Sequence, residues 1–192
     1  MRSAFLVGRD VYLRPLESAD LPLIREWANA PDIRALTAEV LPMSEAGASE
    51  FFDRVRTDRD RVWFAVVLKE DDRVIGEAGL LRMFHAWRTT DLTIIIGDRT
   101  AWGKGFGTQA IRLLLDYAFG CLNFHRVALG VVDFNERALN FYESVGFRRE
   151  GVQRDGYFHG NRYHDFVLMS ILEDEYSASL LGKPSSTAGS AG

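Results

Sequence analysis

The stretch TIIIGDRTAWGKGFGTQAIRLLLDYAF, from Thr93 to Phe119, passes from β-branched residues through alternating glycines to a leucine-rich run. The first part is typical of a strand, and the leucine spacing is typical of a helix. Between them, Gly103, Gly105 and Gly107 allow positive φ angles and let a ligand approach backbone amides. The start of the helix adds unpaired N–H groups and the positive end of its dipole. The stretch therefore predicts a phosphate or pyrophosphate site, with a glycine-rich turn that binds no ligand as the alternative.

Two widespread phosphate-binding patterns fit this stretch poorly. A Walker loop requires a glycine five residues before its Gly-Lys pair and a Ser or Thr after it, whereas Asp98 and Gly105 hold those places. A dinucleotide fingerprint fits the spacing of Gly105, Gly107 and Ala110, and Asp133 follows at the end of the next predicted strand. However, the residues DRTAW separate the strand from the first glycine, and other strands precede this unit. A Rossmann-type dinucleotide-binding protein therefore remains the weaker alternative.

The rest of the chain alternates between strand and helix patterns. VYLRPL from Val11 alternates like a strand, SADLPLIREWAN predicts a helix capped by Ser18, and a second helix begins at Ser44. Three β-rich runs, RVWFAVVL, RVIGEAGLLRMF and DLTIIIGD, predict an antiparallel meander before the glycines. After the glycine segment and its helix come a strand, RVALGVVD, a helix, NERALNFYESVG, and two strands, GVQRDGYF and RYHDFVLMSIL. This order predicts an α/β fold with a mixed, largely antiparallel sheet flanked by helices.

Composition and charge argue against several classes of function. The 192 residues are 47% hydrophobic and 26% charged, which suits one domain with a real core. The formal net charge of −4 argues against a nucleic-acid binder. No apolar run is long enough to span a membrane, and the start MRSAFLVGRD is charged too early for a signal peptide. We therefore expect a cytoplasmic protein without a nucleic-acid or membrane partner, and the lack of metal-ligand spacing predicts no metal.

Two motifs at matching separation resemble the GNAT acetyltransferase superfamily. WGKGFGTQA, from Trp102, is similar to its acyl-CoA loop, with Trp102 in a place that usually holds Arg or Gln, and NERALNFYESVGF follows at the right distance. The opening VYLRPLESAD resembles the branch that contains ribosomal-protein and polyamine acetyltransferases. The resemblance covers residues 9–176 and implies a GNAT fold that uses acetyl-CoA as co-substrate. We accordingly expect one domain over residues 1–176 and a disordered tail over 177–192.

The resemblance also implies where acetyl-CoA binds. In this family the loop amides hold the CoA pyrophosphate, a role that falls here on Lys104, Gly105, Phe106, Gly107 and Thr108. Convergent N–H donors at a helix start suit such an anion.

The strand before the loop separates from its neighbour in this family. The amides of Ile95 and Ile96 are thereby left to bind the pantetheine arm and the acetyl oxygen. Asn135 is implied to contact the CoA arm, and its position at a helix start equally fits a simple cap.

Catalysis requires an acid for the departing thiolate and a base for the amine. By resemblance Tyr142 is the acid, and its place two helical turns beyond Asn135 puts both on one face. An amine with a pKa near 10.4 must lose a proton at a cost of roughly 4.6 kcal/mol at pH 7. Asp91 and Glu77 are the candidate bases.

The acceptor is the least defined part of the sequence. His85, Trp87, Glu39 and Glu45 fall where this family builds its acceptor cleft. The expected substrate is a small-molecule amine, with a leaning towards polyamines, or a peptide amine. A homodimer is also expected from the family. A non-catalytic acyl-CoA-binding module is the alternative function.

Overall fold

Runs of β-branched and aromatic residues form the strands of one mixed sheet in the computed structural model, which describes residues 3–37 and 40–181. In this part of the chain eight strands lie in the order β1-β2-β3-β4-β5-β6-β8-β7. The strands are β1 (Leu6–Val7), β2 (Val11–Pro15), β3 (Val62–Leu68), β4 (Val74–Phe84), β5 (Thr89–Ile96), β6 (Arg126–Val132), β7 (Arg148–His159) and β8 (Arg162–Leu172). The helices are α1 (Leu21–Asn29), α2 (Pro31–Thr37), α3 (Glu45–Thr57), α4 (Phe106–Gly120), α5 (Glu136–Val145) and α6 (Glu173–Leu181).

The sheet is antiparallel except where β5 meets β6. The meander of β3, β4 and β5 is antiparallel, as the sequence predicted, and so are the pairings of β6, β8 and β7. β5 and β6 run parallel because α4 forms the crossover between them. Their pairing covers only residues 89–91 and 126–128, beyond which the two strands are no longer paired.

Helices cover both faces of the sheet. Alternate residues of β3 belong to two different hydrophobic clusters, so the strand is buried on both sides. One cluster packs against α4, whose Ile111, Leu114 and Leu115 lie at helical spacing and are fully buried. The other cluster contains Ile24 and Trp27 of α1 and is covered by α1, α2 and α3.

The first helix begins differently from the prediction. Ser18 does not cap it; residues Ser18–Asp20 form a 3-10 turn, and Asp20 is the residue before α1. The buried Asp20 carboxylate accepts two hydrogen bonds from Arg14, both at 2.7 Å, and one from the Glu17 amide, which compensate for its loss of water. A buried ion pair therefore fixes this helix start rather than a serine cap.

Two further helices were not expected. α2 follows α1 directly and has a single buried residue, Ile33, so its apolar period is too short to recognise. α6 spans Glu173–Leu181, so residues 177–181, which were expected in a disordered tail, are helical. Residues 182–192, the remainder of the expected tail, lie outside the described residues. Within the described part, no helix is long and apolar enough to cross a membrane.

Candidate active site

A cavity of about 560 Å³ opens where β5 and β6 separate. Residues 92–96 of β5 and 129–132 of β6 form opposite walls. The glycine segment and the start of α4 close one end, while α5 and the apolar residues Ile33 and Leu36 of α2 contribute the remaining wall. The separation predicted from the family resemblance is thus present, and it creates a slot that passes between two strands.

The loop before α4 exposes backbone amides to this cavity. Gly105 is the residue before α4 and has a φ of 79°, a left-handed conformation that favours glycine. A Cβ atom there would meet nothing within 4 Å, so the backbone angle, not crowding, requires the glycine. The first amides of α4, from Phe106 to Thr108, have no acceptor within the helix. These residues line the cavity, whereas the exposed Lys104 does not.

Trp102 connects this loop to the end of β5. Its indole Nε1–H donates a hydrogen bond of 2.6 Å to the carbonyl oxygen of Ile96. The guanidinium carbon of Arg137 lies 4.8 Å from the centre of the same ring. Both Trp102 and Arg137 line the cavity, and sequence reasoning did not identify Arg137. Its position in the first turn of α5, two residues after Asn135, could have indicated from the sequence that it lies near the cavity.

The end of β5 is held by contacts on both of its sides. A Cβ atom at Gly97 would lie 2.0 Å from the ring of Trp27, so the backbone of this glycine packs directly on the indole. The amide of Asp98 donates to the carbonyl of Ile75 on β4. Ile95 and Ile96 therefore occupy a fixed position on the cavity wall.

Asn135 and Tyr142 lie together on the α5 side of the cavity. The Asn135 Oδ1 accepts a hydrogen bond from the Ala138 amide, so this residue caps α5, and its Nδ2 is 3.4 Å from the Leu36 carbonyl. Tyr142 is buried, and burial raises the pKa of its phenol well above the usual range.

The Tyr142 hydroxyl forms no hydrogen bond to any residue within 3–37 or 40–181. In the same residues, every side-chain oxygen that is fully inaccessible to solvent has a hydrogen-bond partner. The hydroxyl oxygen therefore keeps some accessible surface, and Tyr142 is one of the residues that line the cavity. A protonated phenol thus remains available to a ligand.

The two candidate bases lie beside the cavity rather than on its wall. Asp91 ends the short parallel pairing of β5 with β6 and forms an ion pair with Arg82. Glu77 on β4 is buried opposite Ile95, and its Oε2 accepts a 2.8 Å hydrogen bond from the Trp63 indole. Because side chains alternate along a strand, Asp91 shares one face of β5 with Ile95. Both carboxylates therefore belong to the face covered by α1, α2 and α3.

The residues expected around the acceptor are dispersed. His85 stacks on Phe124, and Trp87 packs against Phe84 at the tip of the β4–β5 hairpin, so neither lines the cavity. Glu45 at the start of α3 lies 3.6 Å from Arg25. Glu39 lies outside the described residues. Among the described residues no cluster of three or more His, Cys, Asp or Glu side chains could hold a metal ion.

Known proteins match this chain over nearly its whole length. The sequence profile of the acetyltransferase (GNAT) domain matches residues 10–148. Spermidine N(1)-acetyltransferase of Escherichia coli (strain K12) is 30% identical over 171 residues, which cover 89% of this chain and 90% of the relative. The crystal structure of spermidine N-acetyltransferase from Vibrio cholerae in complex with CoA and spermine has a TM-score of 0.83 at 30% identity, covering 88% of this chain and 99% of that one. A dodecameric structure of the Vibrio cholerae enzyme in an intermediate state has a TM-score of 0.76 at 30% identity, covering 88% and 97%. These matches confirm the fold and the resemblance to polyamine acetyltransferases.

Proposed function

This chain belongs to the GNAT acetyltransferase family and is an N-acetyltransferase that uses acetyl-CoA, and we propose that it transfers the acetyl group directly to a small primary amine. The observation that carries the proposal is the slot between β5 and β6, which joins an amide-lined loop to a buried tyrosine. A solved relative that binds CoA and spermine in the same fold supports it.

The loop and the end of β5 position the thioester. The amides of residues 105–108 face the diphosphate of CoA, where the positive end of the α4 dipole adds to their attraction. The cavity volume of about 560 Å³ suits the pantetheine arm. The amides of Ile95 and Ile96 are the donors for the pantetheine arm and the acetyl oxygen, on which negative charge develops during attack. Asn135 contributes its side chain to the same wall.

Tyr142 supplies the proton for the leaving group. The amine nitrogen forms a bond to the acetyl carbon, the carbon–sulfur bond breaks, and the sulfur receives the proton of the phenol. Because burial raises the pKa of Tyr142, the hydroxyl is protonated at every working pH. The same shift makes full proton transfer costly, so the hydroxyl first donates a hydrogen bond to the sulfur as its charge develops.

Asp91 or Glu77 takes the proton from the incoming amine, directly or through a water. The role is needed because deprotonating a lysine-like amine at pH 7 costs roughly 4.6 kcal/mol. Asp91 lies at the point where the slot begins, and Glu77 lies opposite the cavity-lining Ile95. Asp91 is held by Arg82, and Glu77 is held by the Trp63 indole, so each carboxylate has a defined position beside the cavity.

The acceptor we propose is a polyamine, because the matched relatives from Escherichia coli and Vibrio cholerae act on spermidine. A peptide amine is the second class of acceptor. We further propose that copies of this chain self-associate, since the Vibrio cholerae relative forms a dodecamer. Light scattering of the purified protein at the mass of one chain would exclude self-association.

Thiol release from acetyl-CoA tests the function. The protein is incubated with acetyl-CoA and spermidine, spermine, aminoglycosides, amino acids or N-terminal peptides, and we expect the fastest release with a polyamine. Asp91→Asn and Glu77→Gln then assign the base: the variant that lacks it depends on amine already neutral in solution, so its rate rises with pH towards about 10.4. CoA binding by the wild-type protein without thiol release from any amine would instead identify a non-catalytic module.

A further inference from the structure

Arg137 occupies a position that local helix energetics do not favour. It lies in the first turn of α5, next to the positive end of the helix dipole, where a cation is destabilising. It forms no ion pair with any carboxylate within the described ranges 3–37 and 40–181. It is also the one charged side chain that the described part of the chain contributes to the cavity wall. An anionic ligand in the cavity would give this charge a partner.

The ring of Trp102 holds the Arg137 guanidinium beside the cavity. The guanidinium carbon lies over the ring, 4.8 Å from its centre, which is within the range of a cation–π contact. This contact uses none of the arginine N–H donors in a hydrogen bond, so they remain available for a bidentate contact with an anion. Trp102 is itself fixed by its hydrogen bond to Ile96 and belongs to the segment that carries the α4 amides.

On the basis of the proposed function, we propose that Arg137 binds the diphosphate of acetyl-CoA from the α5 side, opposite the amides of residues 105–108. The loop offers neutral donors, and Lys104 does not reach the cavity wall. Arg137 therefore supplies the positive charge that neutralises the diphosphate, through charge-assisted hydrogen bonds. Trp102 is a positioning residue that acts through Arg137.

Calorimetric titration with CoA and with 3′-dephospho-CoA tests the proposal. Arg137→Met is expected to weaken the binding of both ligands by the same factor, about 10- to 100-fold, as for loss of a charged hydrogen bond. Arg59→Met, which removes an exposed arginine from the α3–β3 turn, is the matched control and should bind as the wild type does. A loss seen with CoA and absent with 3′-dephospho-CoA would assign Arg137 to the 3′-phosphate and overturn the proposal.

Two Trp102 variants test the positioning role. Trp102→Phe retains an aromatic face and should bind CoA nearly as the wild type does, whereas Trp102→Ala should weaken binding by about 2- to 5-fold. In an Arg137→Met background, Trp102→Ala should cause no further loss of CoA affinity. If Trp102 had a purely structural role, its removal would weaken binding in both backgrounds. Equal losses in both backgrounds would remove Trp102 from this role. If the wild-type protein binds CoA and Arg137→Met binds it equally well, only this inference is refuted. If the wild-type protein does not bind CoA at all, the proposed function is refuted.

Discussion

The hydroxyl of Tyr142 is the group whose removal tests the acid role most directly. We expect Tyr142→Phe to lower kcat by about 100-fold or more, the range for loss of a general acid. Affinity for acetyl-CoA should change little, because the ring still packs against Phe141 and Phe147. Steady-state rates and calorimetry with CoA separate the two effects.

Tyr117→Phe is the control for this substitution, since Tyr117 lies on α4 and packs on Phe5 and Phe64 outside the cavity. It should retain wild-type turnover. The raised pKa of Tyr142 also has a definite sign: the phenol remains protonated above its ordinary pKa near 10. A loss of activity between neutral pH and about pH 10 must therefore come from the ionisation of a group other than Tyr142. Unchanged kcat in Tyr142→Phe would exclude the acid role.

At the level of single residues, backbone requirements were easier to predict than charges. Gly105 and Asn135 could be placed from the sequence because a left-handed turn and a helix cap each accept few residue types. Arg137 could not be distinguished from a solvated charge on an exposed helix face. Its role depends on the ring of Trp102, which another part of the chain provides.

Among the elements, the separation of β5 from β6 depends on how the end of β5 is held. Trp102→Phe removes the N–H that binds the Ile96 carbonyl and keeps an aromatic ring at this position. We expect kcat to fall by about 2- to 10-fold, the net worth of one hydrogen bond, because the Ile95 and Ile96 amides lose their fixed position. The KM for acetyl-CoA should remain close to the wild-type value, as measured by steady-state kinetics.

Trp87→Phe provides the comparison, since Trp87 is 76% exposed at the β4–β5 hairpin. It should leave both constants unchanged. A Trp102→Phe variant with raised KM and unchanged kcat would show that the indole serves binding and not the alignment of β5.

Helices and strands that bury many residues at regular spacing were predictable from the sequence, whereas short helices with few buried residues were not. The meander and α4 bury many residues at regular spacing, so their patterns are visible in the sequence. α2 spans only Pro31–Thr37 with one buried residue, yet it supplies part of the cavity wall. The start of α1 depends on the ion pair between Arg14 and Asp20, a contact between elements that local sequence does not reveal.

For the whole molecule, the mixed character of the sheet followed from the order of elements, because a helix between two strands allows their parallel pairing, but the full strand order was not predicted. The family resemblance, and not the hydrophobic periodicity, predicted that β5 separates from its neighbouring strand. The cavity arises from that local loss of pairing, and residues 129–132 of β6, which line it, carry no chemical signature of their own.

Buried tyrosines predict how the stability of the whole molecule depends on alkaline pH. Burial raises the pKa of Tyr117, Tyr142 and Tyr176, and at Tyr176 the hydrogen bond to Asp116 adds to the shift. Below the unfolded pKa near 10 both states are protonated, and the contribution of these groups is fully present. Above it the unfolded chain binds fewer protons than the folded one, so the free energy of unfolding falls as pH rises.

The expected loss is at most about 1.4 kcal/mol per pH unit for each tyrosine that stays protonated only in the folded state. Urea titrations at pH 9, 10 and 11 measure it. Tyr176→Phe removes one such group, so its stability should fall less steeply with pH than that of the wild type. The ion pairs within the described residues use arginine or histidine, and arginine keeps its charge over this range, so they do not mimic the effect. A wild-type free energy of unfolding that stays constant from pH 9 to 11, or equal slopes in the two proteins, would contradict the prediction.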